Sequence, residues 1–396
     1  MNIGIGLSIE KDTLLATKSA LQQAKINLGK ERVDLAIIFS SIEFAHSRTA
    51  KVISELLGST PVIGCTSAAI ISSHGIFKRG LAAMLLNFSE GIYCNTASVK
   101  EINAAGALSA GEELGEKLLY GFKDIRRDLA LILSDGLMED GSVFISGLQE
   151  RLGRIFPIVG ASASDNLRFL KTFLYCNQEV VSRAACGVLW GGKMNFGLGI
   201  KHGWKPLGKP RTVTRAEGNI IYEIDGNDAA KLYEEYLACD LEQLKAKLKR
   251  VTVFYPIGIY LTGEEEYLLR NILSVRDDGA LVCHGNVPQG SQIRLMIGTK
   301  ESCLKATSEA VDEAKKSLLG RKCHFVFVFD SISRYILLGK HIDEELNLIK
   351  SGFGNDTPII GFYTYGEQAP LRAINYQGQA YSHNQTITIL AVGGLN

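Results

Sequence analysis

No CxxC pair occurs among the eight cysteines, and no His-x-x-His motif accompanies them. The closely spaced ligand sets of a zinc site are therefore missing from the sequence. No apolar run approaches the ~20 residues needed to cross a bilayer as a helix. Neither sign of charge is in excess: 43 Lys plus Arg stand against 42 Asp plus Glu. There is no global field to steer nucleic acid or an anionic membrane. The N-terminal stretch MNIGIGLSIEKD lacks the basic start and long apolar core of a secretory signal. With unpaired cysteines, the expected setting is a reducing cytoplasm.

What is present is ample apolar material. The chain has 396 residues, 46% hydrophobic and 21% charged, which predicts a folded protein of at least two domains. The densest basic run, QLKAKLKR at 243–250, keeps Leu244 and Leu248 on one helical side and reads as a solvated helix face.

One pattern recurs three times: PVIGCTSAAI at 61–70, PIVGASASDN at 157–166 and PIIGFYTYGE at 358–367. Before each copy lies a short apolar run ending in small polar residues: DLAIIFSS (34–41), DLALILSDG (128–136) and HFVFVFDSISR (324–334). Such runs read as strands buried on both faces of a parallel sheet. Between run and motif the apolar spacing predicts a helix: Val52, Ile53, Leu56 and Leu57 before Gly58; Phe144, Ile145, Leu148 and Leu152 before Gly153; Ile342, Leu346 and Ile349 before Gly352. Strand, helix and strand form a crossover unit. LAAMLLNF (81–88), CGVLW (186–190) and TITILAV (386–392) then read as additional strands.

Residues 250–300 differ, with Asp-Asp-Gly and Pro-Gln-Gly turns between short strands, the texture of an antiparallel meander. An alternating strand at Ile220, Tyr222 and Ile224 leads to an Asp-Gly turn and a helix expected to be capped by Asn227 or Asp228. The expected fold is α/β in two domains with mixed sheets of repeated β-α-β units plus the meander. The boundary is placed near 215, giving 1–215 with two repeats and 216–396 with the meander and one repeat.

In open α/β sheets, ligands bind beyond the carboxyl ends of parallel strands. The motifs bring to that rim Cys65, Thr66 and Ser67; Ser162, Ser164, Asp165 and Asn166; and Tyr363, Thr364, Tyr365, Gly366 and Glu367. The preceding strand ends add Ser40, Ser41, Ser134, Asp135, Ser331 and Arg334. Donors, acceptors and one fixed cation suit a small polar ligand with a carboxylate. The structural alternative is that these groups cap helices and close turns, with Arg334 and Glu367 as an ion pair.

These segments resemble the FIST family of sensory proteins over nearly the whole chain. The resemblance rests on GCTSA, SDG, PIVGASASDN, HGWKPLGKPRTVTRAEGNIIYEIDG and AAKLYEEY, then LLRNI, VPQGSQIRL, FDSISR, GFYTYGE and SHNQT. It implies N-terminal and C-terminal FIST domains that bind a small molecule, with amino acids proposed, and signal to an output. No F-box, kinase, cyclase or methyl-accepting segment is visible, so the output partner is expected to be a separate chain such as a histidine kinase. Ala69 and Ile70 replace the family's Gly-Glu in the first copy. The second reads Gly160-Ala161-Ser162-Ala163-Ser164-Asp165, and Ser331 stands where many members have Cys. The third copy keeps the pattern best, which places the site there: Arg334 on the ligand's anionic group, Thr364, Tyr365 and Glu367 orienting it, Asp165 and Asn166 closing over it.

Three other readings stay open. The resemblance includes haem-bound nitric-oxide sensors acting on histidine kinases; His202 in KHGW and His383 in SHNQT are then the axial candidates. A hydrolase or transferase would use Cys65, Ser134 or Ser331, although no Gly-x-Ser-x-Gly elbow is present. An interaction scaffold would fill the rim with its own side chains.

Overall fold

The computed structural model describes residues 1–138, 140–264, 266–371 and 378–393. The chain is α/β, with mixed sheets built from β-α-β units and a separate antiparallel sheet. The β-α-β unit belongs to a longer repeat: strand, helix, strand, helix, strand, hairpin, strand. The first copy runs through Asn2–Ser8, Thr13–Leu28, Leu35–Ser40, Ser47–Leu57, Val62–Thr66, the hairpin Ile70–Ser72 with Gly75–Phe77, and Leu81–Asn87. The second runs through Ile92–Val99, Ala107–Leu119, Arg127–Ser134, Gly141–Leu152, Ile158–Ser162, the hairpin Leu174–Cys176 with Glu179–Val181, and Ala185–Gly192. The third begins at Asn195–Lys201 and resumes with Lys300–Ser317, Cys323–Ser331, Ile332–Leu338, Ile342–Phe353, Ile359–Thr364, the hairpin Glu367–Pro370 with Ala380–His383, and Ile387–Gly393.

The interruption in the third repeat is an eight-stranded antiparallel sheet spanning Lys205–Glu217 to Gln292–Ile297, with helices Lys231–Leu237 and Leu241–Phe254. The expected meander is therefore an insertion, and it begins well before residue 250. Asn227 and Asp228 do not cap the next helix. They pair with Ile224 and Glu223 as a short strand, and the helix starts after Ala230 without a side-chain cap. The third-repeat helix also runs past Gly352 to Phe353. Gly354, at φ 97°, terminates it instead, and Gly352 lies inside the last turn, where an added Cβ would be 2.2 Å from Val311 Cγ1.

In each repeat the apolar run and the motif strand are parallel neighbours, and the last strand adds antiparallel to the run. The motif glycines Gly64, Gly160 and Gly361 lie opposite Ile38, Ile132 and Val328. A Cβ on any of them would sit 1.8 to 2.1 Å from that residue's carbonyl oxygen. Only glycine tolerates this approach, which explains why the Pro-apolar-apolar-Gly pattern survives in all three copies.

The hairpin after each motif does not return to its own sheet. Ile70–Ser72 of the first repeat pairs with Ile359–Thr364 of the third, Leu174–Cys176 of the second with Val62–Thr66 of the first, and Glu367–Pro370 of the third with Ile158–Ser162 of the second. The sheets thus interlock cyclically, in a pseudo-threefold topology. Their inner faces share one core containing Phe39, Ile63, Leu131, Val159, Phe327 and Phe362. Within it Phe39 and Phe362 have ring centroids 4.7 Å apart. The helices cover the outer faces. No helix among the described residues is long and apolar enough to cross a membrane.

Replacing Gly361 by Ala is expected to cost about 1–3 kcal/mol through forced strand separation. Urea unfolding measures it; an unchanged midpoint would show that the two strands can separate without cost.

Candidate functional site

Pairing register makes the three rims directly comparable. Ser40, Ser134 and Asp330 occupy one equivalent position; Thr66, Ser162 and Tyr363 face them from the motif strands. The incoming hairpins supply Ile70 opposite Phe362, Leu174 opposite Cys65 and Glu367 opposite Ala161. Ile70 and Leu174 are fully buried core residues. Glu367 is as buried as they are, so the third repeat puts a carboxyl where the other two carry a hydrocarbon. Its Oε2 accepts from Thr386 N at 3.0 Å and Thr386 Oγ1 at 2.6 Å, while Oε1 is buried without a hydrogen-bond partner. Burial pushes its pKa up to about 8, against the two bonds from Thr386. A neutral buried acid is a candidate functional group, with a physical reason for its perturbation.

Other polar groups lie around it. Thr386 corresponds by pairing to Gly80 and Ala184, since Ser331 N donates to Thr386 O as Ser41 N and Asp135 N do to Gly80 O and Ala184 O. Asn384 Nδ2 lies 3.2 Å from His284 Nδ1, and its Oδ1 accepts from Asn271 N at 3.0 Å. A Cβ built on Gly366, next to Glu367, would be 3.7 Å from both His284 Cε1 and Ser162 Oγ. The insertion therefore walls this rim with His284 and Asn271, both partly exposed. Burial, then the Arg270 charge, lower the His284 pKa to about 4. Gln368, on the opposite face of the hairpin strand, donates through Nε2 to Ser134 Oγ at 2.7 Å, and its own Oε1 is unpartnered. Ser134 Oγ also lies 3.2 Å from Ser162 Oγ.

The other expected site residues fall into separate places. Arg334 is wholly buried beneath the helices of the third repeat. Its Nε meets Asp330 Oδ1 at 2.8 Å, Nη1 donates to His202 O at 2.8 Å, and Nη2 donates to Cys303 O, Thr307 Oγ1 and Glu345. It presents no free donor face to a rim, and its pairing is with Asp330 and Glu345 rather than a ligand carboxylate. Burial, then the Glu345 charge, push Asp330 upward; Arg334 holds Glu345 low against its own burial. Tyr363 belongs to the same cluster, its hydroxyl donating to Glu345 Oε2 at 3.3 Å.

Thr364 braces the turn: its hydroxyl proton is placed between Ser162 O and Gly366 O, and its oxygen accepts from Gly366 N at 3.1 Å. Ser164 ties two motifs together, donating to Tyr363 O and accepting from Ala68 N. Asp165 does not close over Glu367. It accepts from the backbone N–H groups of Arg168, Phe169, Leu170 and Lys171 and from the Tyr365 hydroxyl, while Asn166 is exposed. Asp135 likewise organises its own turn, accepting from Leu137 N, Thr172 Oγ1 and Arg183 N. Cys65 lies in the core, where burial raises its thiol well above the usual range.

The two histidines do not fit a haem iron. His202 uses Nδ1 to accept from Trp204 N at 2.9 Å and sets Nε2 3.1 Å from Glu266, whose carboxyl the histidine draws down to about 2. His383 is sealed, with Nε2 2.9 Å from Ala369 O and its pKa pushed down to about 4 by burial.

Sequence reading missed His284, Asn384, Thr386 and Gln368. The last three adjoin or lie within stretches that carry the family resemblance, GFYTYGE and SHNQT. His284 sits in the inserted sheet and had no local signal.

The fold and rim define an interlocked three-repeat α/β protein whose third repeat, among the described residues, carries a buried carboxyl at its strand-end rim. The FIST N domain matches residues 34–227 and the FIST C domain residues 229–370. The chain belongs to the FIST family, whose domains are associated with sensory signalling and small-ligand binding. It is 26% identical over 383 residues to the uncharacterized protein MJ1623 of Methanocaldococcus jannaschii, covering 87% of this chain and 71% of that one. It is 24% identical over 385 residues to the uncharacterized protein Mb0898c of Mycobacterium bovis, covering 95% and 96%. Among solved structures it is similar to a chorismatase at a TM-score of 0.36 and 8% identity, over 92% of this chain and 94% of that one.

Replacing Arg334 by Ala should lower unfolding free energy by about 3–5 kcal/mol, because it strands two buried carboxyls; denaturant titration reads this, and a loss below about 1 kcal/mol would contradict the network. Glu367 supplies a pH test. Unfolded, it ionises near the usual ~4.3; folded, it keeps its proton to about 8. The folded state binds the extra proton in that window, so stability falls as pH rises through it and levels off above. Glu367→Gln should flatten the slope by up to about 1.4 kcal/mol per pH unit. Parallel profiles for the two proteins between pH 5 and 8 would refute the shift.

Proposed function

We propose that this chain is a small-molecule-binding sensory protein with a non-catalytic role, reporting its ligand state to a separate protein chain in the cytoplasm. The observation that carries this reading is Glu367: a buried carboxyl with an unpartnered oxygen where the equivalent repeats place Ile70 and Leu174. A buried ionisable group in place of a hydrocarbon destabilises the fold, so its retention points to a task. Once ionised, Glu367 keeps one carboxylate oxygen free for a hydrogen-bond donor. The ligand class is a small polar molecule bearing an amine, such as an amino acid. An ammonium would favour the ionised carboxylate, so Glu367 would release its proton to solvent and form a charge-assisted bond with the ligand.

A non-catalytic role is supported by the candidate nucleophiles. The Cys65 thiol is buried and raised, and among the described residues Ser134 is bonded to Gln368 and Ser162 with no histidine partner. The pairing of third-repeat and second-repeat strands beneath the site gives a bound ligand contact with two repeats, which is how differential affinity could bias a conformational equilibrium.

The test is calorimetry and native mass spectrometry of the full chain against the twenty amino acids and simple primary amines. At least one probe is expected to bind with proton release, detected as a buffer-dependent heat. Glu367→Leu, which copies the second repeat, should weaken binding at least tenfold while remaining folded. No binding at millimolar probe, or affinity unaltered in Glu367→Leu, would sink the reading.

A further inference from the structure

The link from motif strand to hairpin is short in two repeats, residues 67–69 and 365–366, but in the second it runs through residues 163–173. Six consecutive residues of that link, Asn166 to Lys171, are exposed, between the buried anchors Asp165 and Thr172. Three of the six are large and apolar: Leu167 is 41% exposed, Phe169 51% and Leu170 73%. Their backbone is fixed. Asp165 accepts from four consecutive backbone N–H groups, Arg168 to Lys171. Leu167 and Phe169 are held at φ 68° and 54°, a left-handed conformation that bulky side chains keep only when their surroundings impose it. Phe169 stacks on Tyr365, with centroids 4.1 Å apart and planes 10° from parallel. The Tyr365 hydroxyl donates to Asp165.

We infer that loop 166–171 is the output surface, docking into an apolar groove with an acidic rim on a separate protein chain. Apolar side chains held outward at a cost in backbone strain, and without further ordering on binding, have the character of a preorganised anchor. The charge of the loop selects the partner. Arg168 and Lys171 alternate with the apolar residues, no exposed acid lies between them, and neither forms an ion pair among the described residues. A rigid, shaped tip favours a protein groove, since a bilayer surface needs no fixed side-chain geometry. Tyr365 precedes Gly366 and Glu367 in the chain, so the platform under Phe169 is continuous with the ligand rim. This connection rests on the ligand-sensing reading above; the docking surface itself does not.

The experiment places a photo-crosslinking residue at Leu170 of the full chain in cells, and separately at Ile26, an equally exposed position on the Thr13–Leu28 helix. Captured material is identified by mass spectrometry, and the captured protein is purified for affinity measurements. The expected result is a protein captured at Leu170 and not at Ile26. Its affinity should fall at least tenfold with Leu170→Asp and again with Arg168→Glu plus Lys171→Glu, while amine binding by Leu170→Asp is unchanged. Capture of lipid only, capture of nothing, the same protein at both positions, or an affinity indifferent to these surface variants would overturn the inference. If amine binding is absent from every protein but the loop captures as expected, the ligand reading fails and the docking surface stands.

Discussion

The strand Glu367–Pro370 hydrogen-bonds to Ile158–Ser162, about two hundred residues earlier, rather than to the strand that it has just left. The same displacement joins the first repeat's hairpin to the third sheet and the second repeat's hairpin to the first. Each sheet is finished by a neighbour, so no repeat can complete its own core, and the phenylalanines of the first and third repeats meet in one interior. The glycine opposite the apolar strand sets how closely the paired strands approach, and that spacing is shared by all three copies.

Interlocking makes one rim different from the others. Three equivalent positions receive Ile70, Leu174 and Glu367, and two of them simply fill the core. The third receives a carboxyl, and only the third repeat carries the inserted sheet that brings His284 and Asn271 beside it. The cost of burying Glu367 is confined to one of three equivalent places, with the other two supplying hydrophobic stabilisation. Arg334, the conspicuous cation of the same repeat, is committed to Asp330 and Glu345 under the helices, and the cation whose charge bears on His284 at the rim is Arg270.

The local readings that succeeded are those in which periodicity and burial coincide. The apolar runs became strands, the 3.6-residue faces of 47–57 and 141–152 became buried helix faces, and the three motif strands lie parallel to their runs as expected. The local readings that failed concern polar residues whose partners are distant. Asn227 and Asp228 look like caps, yet they pair with a strand; Asp165 looks like a ligand contact, yet it organises the six residues that follow it. A hydroxyl or carboxylate at a strand end has several acceptable local partners, and sequence spacing does not choose among them.

The sequence by itself determined the strands, the helices, the repeated β-α-β unit and the position of its glycine, because hydrophobic period and steric exclusion act over a few residues. It also marked PIIGFYTYGE as the copy to watch. Only the tertiary structure decided which sheet each hairpin joins, and through that which side chains become equivalent. That decision placed Glu367 opposite Ala161 instead of within its own sheet, while packing inside the third repeat buried Arg334 among acceptors from four separate segments. Such choices depend on long-range backbone pairing and on how neighbouring repeats satisfy one another's edges, a constraint that no short window of residues contains.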